Sequence, residues 1–411
     1  MRRWSFTGRG ENHRKPGNES EPDFHSLVKT LSRGNESEPD FQSGRKALFL
    51  DGGFSPRGTF ISQPVLKISL LLTLLVCAHC CFAATPKTGV QIVPDEAHRR
   101  VDITIDGQPF TSYIWPTTLK KPVLYPIVDA DGVTVTRGYP LAPRPGERVD
   151  HPHHAGLWFN YGNANGFDFW NNSDAIKPED RNKMGVIDQT RLVSTKSGMK
   201  SGELVAESRW VDGADKEILD EHARYVFAHQ GSSRTIDLII TLKALDRVVF
   251  HDDKEGLLGL RVARWLESPD EKGGVFTDAN GNATQVAAAP DAGTNPATSV
   301  YLTSEGVKGG AVWGTRGRWC ALTGHTGDHT VDLAIFDHPG NPGYPTYWHA
   351  RGYGLFAANP LGRSIFDPKQ PPFNYTLEKG ASVTFRYRLL IETHAADPAE
   401  LNKEADAFAA E

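Results

Sequence analysis

The feature that most limits how this chain can fold is a recurrence of short alternating runs separated by turn dipeptides. VDITIDG (101–107) alternates apolar and polar side chains and ends on Asp106-Gly107. That pattern describes a half-buried strand feeding a hairpin. GVTVTRGY (132–139) repeats it after Asp131-Gly132. Runs of the same kind follow at 202–211, 223–229, 234–245, 257–263, 299–304, 309–315, 319–325, 330–336 and 382–393. No strand–helix–strand rhythm, glycine-rich phosphate loop or seryl nucleophile elbow interrupts them. The spacing predicts an all-β fold, a large antiparallel β-sandwich, in one domain over 85–397. A short C-terminal helix is expected over 398–411, where Ala, Glu and Leu dominate. The stretch 268–296, rich in Asp, Asn, Gly and Ala, reads as an exposed insertion.

The first 84 residues belong to something else. Ile68 to Val76 is an apolar run preceded by Lys67 and followed by small residues at Ala83 and Ala84. A basic residue, a short apolar centre and a small-residue exit describe a secretion signal over 67–84. The run is too short for a bilayer, which needs roughly 20 apolar residues. Residues 1–66 are polar and carry the octapeptide GNESEPDF twice, at 17–24 and 34–41. They read as a disordered leader or as sequence upstream of the true start. The expected location is therefore periplasmic or secreted, with no membrane partner once the signal is removed. A net charge of -5 gives no electrostatic case for nucleic acid. Of the four cysteines, only Cys320 lies beyond the signal, so neither a disulfide nor a cysteine metal site is expected there.

Two stretches carry the chemistry. The first is DHPHHAGLWFNYGNANGFDFW (150–170), with His151, His153 and His154 between Asp150 and Asp168. Imidazole titrates near neutrality and suits proton transfer or metal ligation. Pro152 excludes a regular helix, and an extended segment would send His151 and His153 to one face and His154 to the other. Gly162 and Gly166 allow turns that return Asn163 and Asn165 toward the histidines. The second stretch is DHPGNPGYPTYWHARGYGLFAAN (337–359), presenting His338, Tyr347, Trp348, His349 and Arg351 from a proline-stiffened loop. Rings beside Arg, His and Asn suit a sugar, whose C–H faces stack while its hydroxyls bond polar groups. Between the two lies HDDKEGLLG (251–259), where Glu255 at a strand entrance is the better site carboxylate and Lys254 a neutraliser of developing negative charge.

Taken together, HPHHAGLWF, NGFDFW, DDKEGLLGLRVA and FDHPGNPGYPTYWHARGYGLFAANPLG resemble a bacterial family of secreted proteins of unknown function, commonly labelled PmoA-like or "methane oxygenase PmoA". The likeness spans residues 90–395. A membrane oxygenase subunit would need several spanning helices, and no apolar run of that length follows the signal. The resemblance instead implies a secreted protein with a glycan-related role. The all-β pattern is also similar to the large sandwich of aldose mutarotases, which implies acid/base work by a histidine and a carboxylate.

The expectation is an enzyme acting on a carbohydrate by proton transfer, as a mutarotase, epimerase, lyase or hydrolase. His153, His154, Glu255 and His349 are the catalytic candidates. Asn163, Asp168, Trp170, Lys254, His338, Tyr347, Trp348 and Arg351 are the substrate-binding candidates. No cofactor is required by this reading. One alternative places a divalent metal among His153, His154, His338 or His349 and Glu255. Another is a glycan-binding protein without turnover. All three need the two histidine stretches to meet.

Overall fold

The computed structural model of the chain describes residues 88–269, 273–287 and 296–411. The leader and the signal expected at 1–84 lie outside them. Within the described residues the first strands are β1 (Val90–Asp95), β2 (Arg100–Ile105), β3 (Gln108–Ile114), β4 (Val123–Ile127) and β5 (Leu157–Tyr161). Next come the long β6 (Val186–Lys196), β7 (Ser201–Val211), β8 (Glu217–Gln230) and β9 (Ser233–Ala244). The short β10 (Val248–Phe250) leads to β11 (Gly256–Arg261), then β12 (Gly274–Thr277) and β13 (Ala283–Val286). After β14 (Val300–Thr303) follow β15 (Trp319–Thr326), β16 (His329–Asp337), β17 (Tyr347–Arg351) and β18 (Leu355–Asn359). The chain closes with helix α1 (Arg363–Phe366), β19 (Tyr375–Leu377), β20 (Ser382–Glu392) and helix α2 (Pro398–Ala409).

Two antiparallel eight-stranded sheets result. The first runs β1-β2-β3-β4-β5-β11-β18-β17 and the second β14-β15-β16-β20-β9-β8-β7-β6. The sequence segments interleave, so each sheet is completed by strands distant in the chain. The sheets pack face to face as an all-β sandwich. Phe159 of β5 meets Trp210 of β7 and Phe385 of β20, with ring centroids 6.5 and 5.7 Å apart. Tyr113 of β3 meets Tyr225 of β8 at 5.5 Å. Alternation puts Ile236, Leu238, Ile240 and Leu242 of β9 into this core, opposite Leu258 and Leu260 of β11. Each buried side chain of this size contributes roughly 1.5–3 kcal/mol.

The outer face of the second sheet is closed by α2. Asp397 caps it by accepting from the Ala399 amide at 2.8 Å. Leu401, Ala405 and Phe408, spaced for one helical stripe, bury against Trp319, Ala321, Ala334, Phe336 and Leu390. Arg388 then ties Asp237, Glu404 and Glu411 together, at 2.6–2.9 Å.

Three expectations about elements need correction. GVTVTRGY forms no strand, only isolated bridges from Thr134 to Val128 and from Thr136 to Val262. Its backbone turns away beyond Thr136, where the Arg137 side chain enters a buried ion network and Pro140 lacks an amide donor. GGAVWGT is a 3-10 turn over Gly309–Val312. Gly309 and Gly314 sit at φ +60° and +74°, left-handed conformations that no strand uses. The expected insertion at 268–296 contains the β12–β13 hairpin. Its Phe276 is buried between the Arg148 and Arg264 guanidiniums, 4.8 and 4.9 Å from the ring centroid.

Candidate functional site

The site lies on the outer face of the first sheet, across β5, β11, β18 and β17. Trp158 pairs with Gly259, Gly259 with Ala357, and Ala357 with His349. Residues directly opposed in antiparallel strands share a face. One row therefore runs indole, hydrogen, methyl, imidazole. Gly259 is needed for this: a Cβ there would lie 2.4 Å from the Trp158 ring and 2.9 Å from Trp170. The two indoles meet at 5.2 Å and form a small apolar cluster with Val123, Leu355 and Ala357, separate from the main core. In the next row Arg261 pairs with Leu355, and Leu355 with Arg351.

The histidine loop folds over the Trp158 end of that row. It is a tight turn, with the His154 amide donating to the His151 carbonyl at 2.9 Å. His151 sits at φ +42°, an uncommon conformation for a residue with a side chain. The expected split of the histidines between two faces is thus wrong. A turn in place of an extended segment gathers all three: His151 stacks on His154 at 4.9 Å, and His153 meets both rings edge-on. His154 in turn stacks on Trp158 at 5.3 Å.

Buried cations hold this loop by its carbonyls. Arg137 donates to the carbonyls of His151 and His154, both at 3.0 Å. Lys121 donates to the carbonyl of His153 at 2.8 Å, with its ammonium 5.3 Å from the centre of the Trp158 ring. Asp150 receives both Arg137 and, at 2.6 Å, Arg261. Burial opposes its ionisation, yet Arg261, His151 and Arg137 hold its carboxyl well below the usual range. Burial also brings Lys121 down to about 7. It takes His153 and His154 well below the ordinary imidazole value, with neighbouring cations and imidazoles adding to the effect. These rings are neutral at physiological pH.

The second stretch completes the site. Tyr353, in the turn between β17 and β18, stacks on the other face of His151 at 5.0 Å, 4° from parallel. His349 Nδ1 lies 3.6 Å from Glu255 Oε2 and 3.1 Å from the Lys254 carbonyl. A carbonyl only accepts, so Nδ1 carries the proton and Nε2 the lone pair. Burial drops the His349 imidazole to about 3, assisted by Arg351 and Lys254. Burial pushes the Glu255 carboxyl up to about 7, against the pull of Lys254, whose ammonium is 3.3 Å from Oε1. The charges of Asp253 and Asp168 raise it further. A carboxyl poised near neutrality beside a neutral imidazole is an acid/base arrangement.

The tautomer of His154 is settled the same way. Arg261 approaches its Nδ1 at 3.2 Å, and a guanidinium only donates. Nδ1 therefore accepts, and the proton is on Nε2. Among the described residues that Nε2 has no hydrogen-bond partner. Neither have the indole nitrogens of Trp158 and Trp170, Nε of Arg137 and Arg261, or Oε2 of Glu255. Buried polar groups left unpaired are uncommon and cost roughly 1–3 kcal/mol each. Several of them lie together under this face, beside others elsewhere such as those of Arg234, Trp313 and Trp348.

Of the residues expected here, His153, His154, Glu255, His349, Lys254, Asp168 and Trp170 are gathered on this face. Asp168 bonds the Trp170 and Asn171 amides at 2.9 Å, and its charge acts on Lys121 and Glu255. Arg351 shares the face, its guanidinium 5.7 Å from the centre of the Trp313 ring. Tyr347 is one layer removed, stacked on Phe366, which also meets His349 edge-on. Three residues lie elsewhere. Trp348 points into the inter-sheet core, because strand alternation opposes it to its neighbour His349. His338 packs on Phe408 of α2 at 5.3 Å, on the far side of the second sheet. Asn163 accepts from the Gly166 amide at 3.0 Å and shapes a turn; Asn165 bonds β10 instead of returning. Residues not foreseen are Lys121, Arg137, Arg261 and Tyr353. Tyr353 and Arg261 lay inside quoted motifs and Arg137 inside an expected strand, but none was given a role there. Among the described residues no three His, Cys, Asp or Glu side chains are placed to share one metal ion. No described helix is long and apolar enough to cross a membrane.

No curated protein is significantly similar to this sequence. Among solved structures, galactose 1-epimerase from Lactobacillus acidophilus NCFM is similar at 11% identity, over 75% of this chain and 100% of its own, with a TM-score of 0.36. A galactose mutarotase-like protein from Clostridium acetobutylicum matches at 10% identity, over 75% and 99%, with a TM-score of 0.36. A galactose mutarotase-like protein from Lactobacillus casei matches at 11%, over 74% and 100%, at 0.25. These scores describe a loose likeness of shape. Residues 100–406 match the profile described as "Family of unknown function (DUF6807)", and the chain belongs to that family.

Proposed function

We propose that this protein is an enzyme that moves protons on a carbohydrate. The observation that carries the reading is the Glu255–His349 pair, a carboxyl held near 7 within 3.6 Å of a neutral imidazole. Below about pH 7 the Glu255 carboxyl is protonated and able to donate, while His349 Nε2 is able to accept. For an aldose, His349 takes the proton of the anomeric hydroxyl as Glu255 protonates the ring oxygen. The C1–O5 bond breaks and the carbonyl forms. Rotation about C1–C2 and the reverse transfers give the other anomer and return both protons. Each such group contributes roughly 10²–10⁴-fold. Lys254 and Arg351, whose charges act on His349, support a reactant rich in hydroxyls.

The secreted or periplasmic location, read from the apolar run at 68–76 and from the PmoA-like resemblance, belongs to the same proposal. The test is exchange spectroscopy by proton NMR on a panel of aldoses, uronates and glycosides. Anomer interconversion, C–H exchange or bond cleavage above the buffer rate supports the reading, provided E255Q and H349N abolish it with circular dichroism unchanged. No turnover of any member would reduce the site to a binding surface.

A further inference from the structure

We infer that Asp253 is a positioning residue for the proposed acid: its carboxylate aims the Glu255 side chain and keeps the proton on it. This rests on the proton-transfer reading above and names the group that prepares its carboxyl.

The geometry starts in the backbone. The loop 251–255 enters β11 between the ends of β5 and β18, and each end holds it. Tyr161 Oη accepts from the Asp253 amide at 3.2 Å and donates to the His251 carbonyl at 2.7 Å. Asn359 Nδ2 donates to the Asp253 carbonyl at 2.8 Å. With its main chain fixed on both sides, Asp253 turns its carboxylate along the loop, where Oδ1 accepts from the Glu255 amide at 2.9 Å. This is the local turn that aspartate favours. The Glu255 carbonyl receives the Gly162 amide at 2.7 Å, so the root of the Glu255 side chain is held from two directions. Gly162 shows how closely the two acids sit. A Cβ built there would lie 2.7 Å from Glu255 Cβ and 3.2 Å from both Cγ and Oδ1 of Asp253.

Two carboxyls crowded in this way do not both ionise readily, and the better hydrogen-bonded one gives up its proton first. Asp253 is that one. Burial raises it, but the amides of Glu255 and Lys254 bond its carboxylate and favour the ionised form. Among the described residues Glu255 Oε2 has no such partner. Burial begins the hold on the Glu255 proton, and the Asp253 charge extends it. The other groups facing Glu255 are Lys254, Asp168 in the loop after β5, His349 of β17 and Tyr353 in the turn after β17. Asp168 acts with Asp253, and His349 is neutral. Lys254 opposes them from 3.3 Å, but its side chain is 43% exposed and solvent screens its pull.

The experiment follows side-chain carboxyl carbons by NMR through a pH titration of the full chain, labelled with carbon-13 in Asp and Glu. Each signal is assigned through its own backbone amide. In the unaltered protein Asp253 is expected to ionise at lower pH than Glu255. D253N leaves an oxygen to accept from the Glu255 amide and removes only the charge. It is expected to lower the Glu255 midpoint by about half a pH unit or more. D253A also loses the acceptor and is expected to lose about tenfold in kcat that D253N keeps. A midpoint unmoved in D253N, or Asp253 ionising above Glu255, overturns this inference and leaves the proton-transfer reading standing. A Glu255 midpoint at the ordinary 4.5 in the unaltered protein overturns both. The order of the two ionisations is read on the unaltered protein, so the outcome does not depend on whether the variants fold.

Discussion

The outer faces of the two sheets carry similar materials and finish differently. Each has indole, imidazole, arginines and carboxylates. On the second sheet α2 lies across the face and supplies partners to several polar groups beneath it, although His338 Nε2 keeps none. Trp319 Nε1 donates to Asn402 Oδ1 at 2.9 Å, Arg318 reaches Asn402 and Asp406, and Arg388 takes three carboxylates. On the first sheet only the short α1 reaches the row, through Phe366 on His349, among the described residues, and Trp158, Trp170, His154 and Glu255 each keep an unpartnered polar atom. Composition does not distinguish the two faces. What distinguishes them is α2, whose Asn402, Asp406 and Glu404 partner Trp319, Arg318 and Arg388 on the second face.

That contrast can be broken most severely at Glu255. E255Q keeps the shape and removes the transferable proton, so turnover of whichever sugar is processed should fall by roughly 10²–10⁴-fold. Stability by thermal melt should stay near that of the unaltered chain. A variant that loses stability but not rate would make Glu255 a structural residue like Asp237.

F408A is the mirror experiment. It removes the ring that α2 buries on the second sheet and should cost about 3–5 kcal/mol, read by denaturant titration. Ligand affinity at the first sheet should be unaltered while the protein is folded. Coupling between the two would show that the faces are not independent.

Asp337 sharpens the comparison by pH. It lies at the end of β16, fully buried, accepting from Asn341 Nδ2 at 2.7 Å and the Thr346 amide at 2.8 Å. Burial raises its carboxyl from 3.8 to about 7. A carboxyl whose folded value is raised is bound more tightly to its proton in the native state. Its stabilisation is complete below the unfolded value and is lost as pH rises from 3.8 through about 7. D337N should therefore flatten the stability–pH curve in that window, an effect on the order of 1–3 kcal/mol. Activity governed by Glu255 should decline over the upper part of the same range. An activity profile that D337N shifts and E255Q leaves alone would reverse the assignment.

The smallest expected effect is at Tyr353. Y353L removes the stack on His151 and should weaken sugar binding about five- to tenfold, consistent with roughly 1 kcal/mol for an aromatic pair. Histidine-labelled protein offers a finer check: two-bond nitrogen–proton spectra should show His154 protonated at Nε2 and His349 at Nδ1. The opposite tautomer at His349 would leave it no lone pair toward the sugar.

The sandwich was legible because its long strands alternate cleanly, as β9 and β20 do. The meeting of the two histidine stretches was legible as chemistry, since Glu255, His349 and the turn at 151–154 do share a face. What misled was local geometry. Trp348 was grouped with His349 because both are adjacent and both suit a sugar, yet a strand sends neighbours to opposite faces. His338 lies in the same stretch but before the bend into β17, so it belongs to another sheet. Lys121 and Arg137 gave no local signal at all. Each reaches the histidine loop through a backbone carbonyl, a contact that any residue type can supply and no motif records.

The row that joins Trp158, Gly259, Ala357 and His349 has one further consequence. The hairpin at Arg351–Gly354, with Gly354 at φ +92° and its amide on the Arg351 carbonyl at 3.0 Å, sets which neighbour faces outward. Losing or gaining one residue there would exchange imidazole for indole along the whole strand. The proposed role of His349 hangs on a four-residue bend.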